Sequence, residues 1–313
     1  MNKFLECTIL CLLVTPAWGM EKLWRKEFGN GPAKARKLRE KLPSEERAKL
    51  NMQLWKAVDP YFYRDVPDAC ARLKVVLNRG ADPKSDDLAL RKAALSPNNG
   101  KGLVNLLLAY GANPHQKNAI TQARSIGALR IFLQAGVDIN TVSEETLLSA
   151  LCGYDFDEDL EVLAWALLHH ADPNLLPQNT PDKCCYEPAA LYKALDQRNV
   201  SKVIALLQYG AQLNTTDERY GTPLKFAQTL SLNLEDSELG TLARRAQCEL
   251  LHAIGENHLD PNNLTEEECK AAGITDESTR LIVAAAQRVA DAFRQCKEED
   301  EAYERAAPTY KSK

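Results

Sequence analysis

The sequence predicts an all-α protein built from about six repeated helix–loop–helix units. Three recurrences along its 313 residues indicate this: a short closing motif around a glycine, an apolar helical stretch before each copy, and a leucine or isoleucine three residues before an alanine further upstream. Residues three apart share one face of a helix. Each repeat is therefore expected to hold two helices, and the glycine ends the second.

The closing motif has five clear copies and one degraded copy between Gly255 and Pro261. A helix that ends and turns sharply needs a left-handed residue just past its last turn, and glycine adopts that conformation without a side-chain penalty. The fourth copy has His170 at this place, which predicts local strain. The clear copies are Gly80-Ala81-Asp82-Pro83, Gly111-Ala112-Asn113-Pro114, Gly136-Val137-Asp138-Ile139-Asn140, His170-Ala171-Asp172-Pro173-Asn174 and Gly210-Ala211-Gln212-Leu213-Asn214.

The upstream signature marks the first helix of each repeat. Its alanine is small, which lets the helices of the next repeat approach closely. The pairs are Leu54/Ala57, Leu90/Ala93, Ile120/Ala123, Leu147/Ala150, Leu191/Ala194 and Leu224/Ala227. We expect the five leucines of these pairs to be buried between helix pairs.

The repeats resemble ankyrin repeats, whose 33-residue unit opens with TPLHxA and closes with LLxxGAD. The sixth repeat has Thr222-Pro223-Leu224-Lys225-Phe226-Ala227, which departs from that opening only at Lys225. Ala194 lies 16 residues before Gly210, and Gly210 lies 12 before Thr222, both as in the family. The resemblance covers roughly residues 50 to 261. It implies a solenoid of stacked antiparallel helix pairs with turn fingers, which serves to bind other proteins.

Several repeats depart from the family pattern. The third, Asn118 to Gly136, has lost residues between its helices, whereas repeats one, four and six carry insertions there, on the edge opposite the fingers. The insertions at 59–65 and 153–159 combine aromatic and acidic residues. Another insertion, Leu175 to Pro188, extends the finger between repeats four and five.

The sequence divides into five segments. These are a signal peptide at 1–19, a basic arm at 20–43, the repeat solenoid at 44–262, a C-terminal helical cap at 263–305 and a tail at 306–313. Ser44 with two glutamates after it is typical of a helix start, so the basic segment from Glu21 to Leu42 is expected to lie outside the stack.

The C-terminal cap is predicted from helix signals. Thr265 with Glu268 forms a capping box, and Asp276 begins a last helix that should close the solenoid. The acidic run from Glu298 to Glu301 is expected to be frayed. One apolar face of the last helix is formed by Ile282, Ala286, Val289, Phe293 and Cys296.

The first 19 residues are typical of a secretory signal peptide. Lys3 precedes an apolar stretch, and Ala17 and Gly19 are small residues where a signal peptidase cuts. Glu6 fits such a segment poorly, so an ordinary N-terminal helix remains the alternative. Leu10 before Cys11 argues against lipoprotein processing. The expected location is periplasmic or secreted, or cytoplasmic if the N-terminus is not cleaved.

Charge and hydropathy exclude several protein classes. Mean hydropathy is negative, and no apolar run after residue 19 approaches the length of a membrane span. The net charge is −4, but residues 21–50 hold ten Lys or Arg against five Glu. The rest of the chain is acidic and would repel phosphate, which disfavours nucleic acid as a partner.

The cysteines and acidic clusters give only weak metal signals. Seven of the nine cysteines follow the signal segment, without a disulfide pattern, so most are expected to be buried apolar residues. Asp155, Asp157 and Asp159 have calcium-loop spacing, but Leu160 and Ala166 replace its required Gly and Glu. Cys184 and Cys185 near His169 and His170 lack zinc-site spacing. The favoured interpretation is a surface loop with an adjacent pair of thiols, whose oxidation after export is left open.

No phosphate-binding loop, dinucleotide fingerprint or nucleophile elbow occurs. The sequence therefore predicts a non-catalytic, monomeric scaffold without metal or cofactor, which binds a protein through its fingers, first helices and inserted loops. Since exported ankyrin proteins suggest a bacterium in contact with eukaryotic cells, a host protein is one option. The alternatives are binding of nucleic acid or anionic membrane by residues 21–41, and a redox or metal role for Cys184 and Cys185. The candidate binding residues are Tyr61, Phe62, Tyr63, Tyr154, Phe156, His115, Asp217, Arg219 and Tyr220.

Overall fold

The computed structural model describes residues 27–58, 68–84, 87–116, 119–142, 144–153, 158–177, 189–231 and 238–306. Within these ranges the chain forms fourteen α-helices and one 3-10 helix, with no strand, so the all-α prediction is confirmed. The chain divides into two compact units, an N-terminal unit of residues 1–143 and a C-terminal unit of residues 144–313. None of the described helices is long and apolar enough to cross a membrane.

The helices follow the order that the repeats predict. The N-terminal unit contains α1 (Gly31–Lys41), α2 (Ser44–Val58), α3 (Ala69–Asn78), α4 (Asp87–Ala94), α5 (Gly100–Ala109), the 3-10 helix η1 (Ile120–Gln122) and α6 (Ile126–Gln134). The C-terminal unit contains α7 (Leu147–Cys152), α8 (Glu158–Leu168), α9 (Ala190–Asp196), α10 (Val200–Gln208), α11 (Pro223–Ser231), α12 (Glu238–Gly255), α13 (Glu266–Ala271) and α14 (Asp276–Ala306).

Each unit has two layers of helices. In the N-terminal unit the first helices of successive repeats, α2, α4 and η1, contact one another in that order, and the second helices α3, α5 and α6 do the same. In the C-terminal unit α7, α9 and α11 form the first-helix layer, while α8, α10 and α12 form the second-helix layer. Every contact within a layer joins neighbouring repeats.

The core lies between these layers. Leu54, Leu90, Leu147 and Leu191 are at most 3% exposed, as the repeat signature predicts. Burying one such side chain contributes about 1.5 to 3 kcal/mol. Leu224 is only half-buried, which corrects the expectation for the sixth repeat. The reason is its position in the last repeat, where α11 has another repeat on one side only.

The glycine stops adopt the predicted conformation. Gly80, Gly111, Gly136 and Gly210 have φ between 84° and 101°, and His170 has φ 65°. At Gly210 the N–H bonds the carbonyl of Leu207, and the next N–H bonds that of Leu206. These two hydrogen bonds supply donors to carbonyls of the last helical turn that have no partner within the helix.

The sixth stop differs from the sequence prediction. Gly255 is the last residue of α12, and Asn257 takes the left-handed position with φ 58°. The N–H of Asn257 bonds the carbonyl of Ile254 and that of His258 bonds Ala253, as at the glycine stops. Asparagine tolerates this conformation better than most residues, so the helix continues two residues further than Gly255 suggested.

The shortened third repeat has almost no first helix. Its residues Ile120–Gln122 form a single 3-10 turn, followed by α6 from Ile126. Ser125 accepts the N–H of Ala128 and begins that helix. The loss of residues that the sequence shows therefore falls on the first helix and its connection.

The described part of the basic segment, residues 27–42, packs against the repeats, whereas the sequence predicted that this segment lies outside the stack. Helix α1 contacts α3, with Ala35 1% exposed at the contact. Arg39 donates from Nη1 to Asp82 Oδ1 at 2.8 Å and from Nη2 to the Ala81 carbonyl at 2.9 Å. One cation of the segment thus serves to attach it to the closing loop of the first repeat.

The C-terminal cap begins as predicted and extends further. Thr265 accepts the N–H of Glu268 at the start of α13, and α14 runs unbroken for 31 residues to Ala306. The run from Glu298 to Glu301 is therefore helical and not frayed. Helix α14 packs across α8, α10 and α12, all of the second-helix layer. Phe293 stacks on Tyr209 with ring centroids 4.8 Å apart.

Candidate binding surface

The finger between repeats five and six is a tight turn. Asp217 and Gly221 exchange two backbone hydrogen bonds of 2.9 and 2.8 Å. The Asp217 carboxylate accepts the N–H groups of Arg219 at 2.8 Å and Tyr220 at 3.0 Å. Side-chain capping of this kind is how aspartate stabilises turns. The role that the structure shows for Asp217, which is 8% exposed, is to shape the finger.

Tyr192 holds this finger from below. Its hydroxyl donates to the Gly221 carbonyl at 2.7 Å and lies 3.2 Å from that of Thr215. The centroid of its ring lies 5.9 Å from that of Tyr220 and 5.7 Å from that of Phe226. Burial, followed by the nearby Asp217 carboxylate, raises the pKa of Tyr192. Tyr220 thus packs inside an aromatic cluster. Of the three predicted residues in this finger, Arg219 is the exposed one.

His115 lies in the finger between repeats two and three. Its side chain is exposed, and its backbone N–H bonds Asn113 Oδ1 at 3.1 Å. Together with Lys84 of the preceding finger and Gly111 it lines an open pocket of about 640 Å³. His115 therefore borders a recess between two consecutive fingers, and the Lys84 side chain lines the same recess.

The predicted aromatic anchors on the inserted loops lie outside the described residues, so their role stays a prediction. These are Tyr61, Phe62, Tyr63, Tyr154 and Phe156. Asp155, Asp157, Cys184 and Cys185 also lie outside those residues.

The part of the chain that the structure describes contains no cluster of three His, Cys, Asp or Glu side chains placed to hold a metal. Its cysteines are all free thiols, of which Cys152, Cys269 and Cys296 are fully buried. Burial raises the pKa of Cys70, Cys248 and Cys269. Since the thiolate is the reactive form, burial makes these groups less reactive.

The first-helix layer of the N-terminal unit has an exposed surface whose residues were not among the predicted binding residues. Met52 of α2 is 62% exposed and Leu88 of α4 is 43% exposed. One helical turn further along each helix, the Lys92 ammonium lies 3.8 Å from the centroid of the Trp55 ring. Apolar periodicity does not distinguish an exposed leucine from a buried one in the same helix. Only the packing shows that Leu88 faces outward.

The flanking segments lie on the opposite layer in both units. In the N-terminal unit the segment before α1 places Glu27 3.0 Å from Asn105 of α5 and Phe28 below Lys74 of α3. In the C-terminal unit α14 covers α8, α10 and α12. The main helix contacts of each flank in the described residues are therefore with the second-helix layer of its own unit.

No model of a known protein family matches the chain, and no curated protein is significantly similar to it.

Proposed function

We propose that the chain is a non-catalytic ankyrin-repeat scaffold that is exported and binds another protein. Binding uses the first helices, the fingers and the inserted loops. The ankyrin assignment rests on the repeat motifs, in particular Thr222-Pro223-Leu224-Lys225-Phe226-Ala227, and on the two-layer contacts between neighbouring repeats.

One observation supports the choice of surface. Both flanking segments pack on second helices, α1 on α3 and α14 on α8, α10 and α12, so the chain covers this layer with its own residues. In the N-terminal unit the first helices carry two exposed large apolar side chains, Met52 and Leu88, whereas the described second helices carry one, Val75. Exposed apolar side chains rimmed by polar residues are typical of protein interaction sites.

The test is a titration with an identified partner. The mature chain, immobilised, is offered to host and bacterial-envelope extracts, and a protein that it retains is purified and titrated against variants. Arg219→Glu on the finger between repeats five and six should weaken binding, whereas Arg288→Glu on the solvent side of α14 should not. If only Arg288→Glu weakens the affinity for the partner, binding takes place on the flanking helix α14 and not on the finger.

A second candidate function is supported by the exposed side of α1. Lys34, Lys37 and Lys41 are exposed on the same helix face as Leu38, which is 42% exposed, while Ala35 and Arg39 face α3. A cationic stripe of this kind suits nucleic acid or an anionic membrane. Affinity for either should fall steeply with salt and disappear in Lys34→Glu/Lys37→Glu, but not in Lys297→Glu on α14.

A further inference from the structure

We infer that the first-helix face of the N-terminal unit binds an acidic amphipathic segment of a partner protein. The surface consists of Met52, Trp55 and Lys56 of α2, Leu88 and Lys92 of α4, and Lys84 of the finger between them; we refer to it as the α2–α4 face. This inference rests on the proposed function and names the chemistry of the partner.

The apolar residues of the face lie on two helices that contact each other. Helices α2 and α4 contact each other, and the link between Trp55 and Lys92 fixes their register. Met52 and Leu88 each lie one turn before that link. Asn51 accepts the N–H of Asp82 before α4, and Trp55, one turn after Asn51, contacts Lys92 near the end of α4. Helices α2 and α4 therefore run in the same direction. Met52 and Leu88 lie toward the same end of the pair. Large apolar and aromatic side chains supply most of the energy at protein interfaces.

The charge on this face is positive, in contrast to the acidic chain as a whole. Over residues 44–58 and 84–94 the sequence has six Lys or Arg against two Glu and two Asp. Three of the six residues that define the face are lysines, Lys56, Lys84 and Lys92, and none is acidic. The Glu45 carboxylate is bonded to Lys49 at 2.8 Å. Lys56 and Lys84 are exposed beside the apolar side chains. A ligand of complementary charge is acidic.

The recess next to the face accommodates projecting side chains. Lys84 and His115 line the open pocket between the two fingers, which has a volume of about 640 Å³. A carboxylate side chain from a bound segment can enter this pocket and approach Lys84 while its apolar residues cover Met52 and Leu88. A flat bilayer surface cannot enter such a recess, and the exposed methionine and leucine match apolar side chains better than a phosphate backbone.

The experiment uses the full chain and displayed random peptides of about 16 residues, long enough for about four helical turns. We expect the selected peptides to combine several Asp or Glu with spaced Leu, Phe or Trp. Synthetic versions should bind at least about tenfold more weakly to Met52→Glu, Leu88→Glu and Lys56→Glu/Lys84→Glu, as expected for interface anchors and their charge partners.

The matched controls lie on other surfaces of the same unit. Val75 on the second helix α3 is 57% exposed, so Val75→Glu introduces the same charge on the opposite layer. Lys74→Glu reverses an exposed lysine on the same helix. Both variants should bind the peptides as the original chain does, and circular dichroism should show the same helical content for all variants.

The possible outcomes separate this inference from the proposed function. Peptides without acidic excess, or peptides that bind Leu88→Glu normally, overturn the inference. If they instead lose affinity for Arg219→Glu, the scaffold function stands and only the location is wrong. If no peptide binds, the inference fails, and the extract titration alone decides the scaffold function. Binding of phosphatidylglycerol vesicles or duplex DNA that Leu88→Glu abolishes would overturn the inference in favour of a polyanionic surface.

Discussion

The carboxylate of Asp300, near the end of α14, accepts a hydrogen bond of 2.9 Å from the indole nitrogen of Trp165 in α8. Trp165 is 1% exposed, and its ring lies 3.9 Å from that of His169. The other carboxylate oxygen of Asp300 lies 3.0 Å from His169 Nε2. One acidic side chain of a run that the sequence marked as frayed therefore holds the C-terminal helix to the fourth repeat.

Replacing Asp300 by alanine should lower the free energy of unfolding of the C-terminal unit by about 1 to 3 kcal/mol, because a buried indole N–H loses its acceptor. Urea titration followed by tryptophan fluorescence measures the change. Glu299→Ala, one position earlier and exposed, should cost less than about 0.5 kcal/mol. Equal losses in the two variants would show that the Trp165 contact is not a source of stability.

Leu191→Ala should cost about 2 to 5 kcal/mol, since it leaves a cavity between repeats four, five and six. Leu191 is 3% exposed, and α9 contacts α7, α10 and α11. Because each repeat contacts its neighbours, melting can begin locally around this position. A thermal melt by circular dichroism detects it. Leu176→Ala is the control, with a side chain 63% exposed. A melt of Leu191→Ala that equals the control would contradict the repeat register.

Two glycine substitutions should have opposite effects. Gly210 has φ 86° and Gly255 lies in the last turn of α12, and an added Cβ would meet no atom within 4 Å at either position. Gly210→Ala should destabilise by about 1 to 2 kcal/mol from the left-handed backbone alone. Gly255→Ala should stabilise by up to about 1 kcal/mol, because alanine favours helix. Chemical denaturation compares them, and a loss in Gly255→Ala would restore Gly255 as the helix stop.

Tyr192→Phe should lower the free energy of unfolding by about 0.5 to 1.5 kcal/mol, since the Gly221 carbonyl loses a hydrogen bond.

Tyr192→Phe should also change how the free energy of unfolding depends on pH in the alkaline range. The folded chain has a raised pKa at Tyr192. Stability from this group is therefore complete below about pH 10 and is lost as the unfolded tyrosine ionises above that pH. Urea titrations from about pH 8 upward should show that the free energy of unfolding falls less steeply with pH in Tyr192→Phe than in the original chain. A parallel decline would mean that Tyr192 ionises equally in both states.

The signal-peptide hypothesis predicts a mature N-terminus at or near Met20. Intact-mass measurement of natively expressed protein decides it. Recovery of Met1 on the abundant form would contradict export, and the free thiols of Cys152 and Cys296 would then match a reducing compartment.

Local signals in the sequence determined the repeats. The positive φ of Gly80, Gly111, Gly136 and Gly210 follows from the identity of one residue after an apolar helical stretch. The burial of Leu54, Leu90, Leu147 and Leu191 follows from periodicity within one helix. Both depend on backbone conformation and helix faces over a few turns, which neighbouring residues largely set.

Tertiary structure alone decided where the flanks lie and which outward side chains share a surface. Asp300 and Trp165 are 135 residues apart, and nothing within a few turns of either one indicates the other. The docking of α1 through Arg39 and the exposure of Met52 and Leu88 likewise depend on how distant surfaces match. The physical reason is that helix periodicity determines which faces are apolar, whereas the packing of all elements together selects the partner that covers each face.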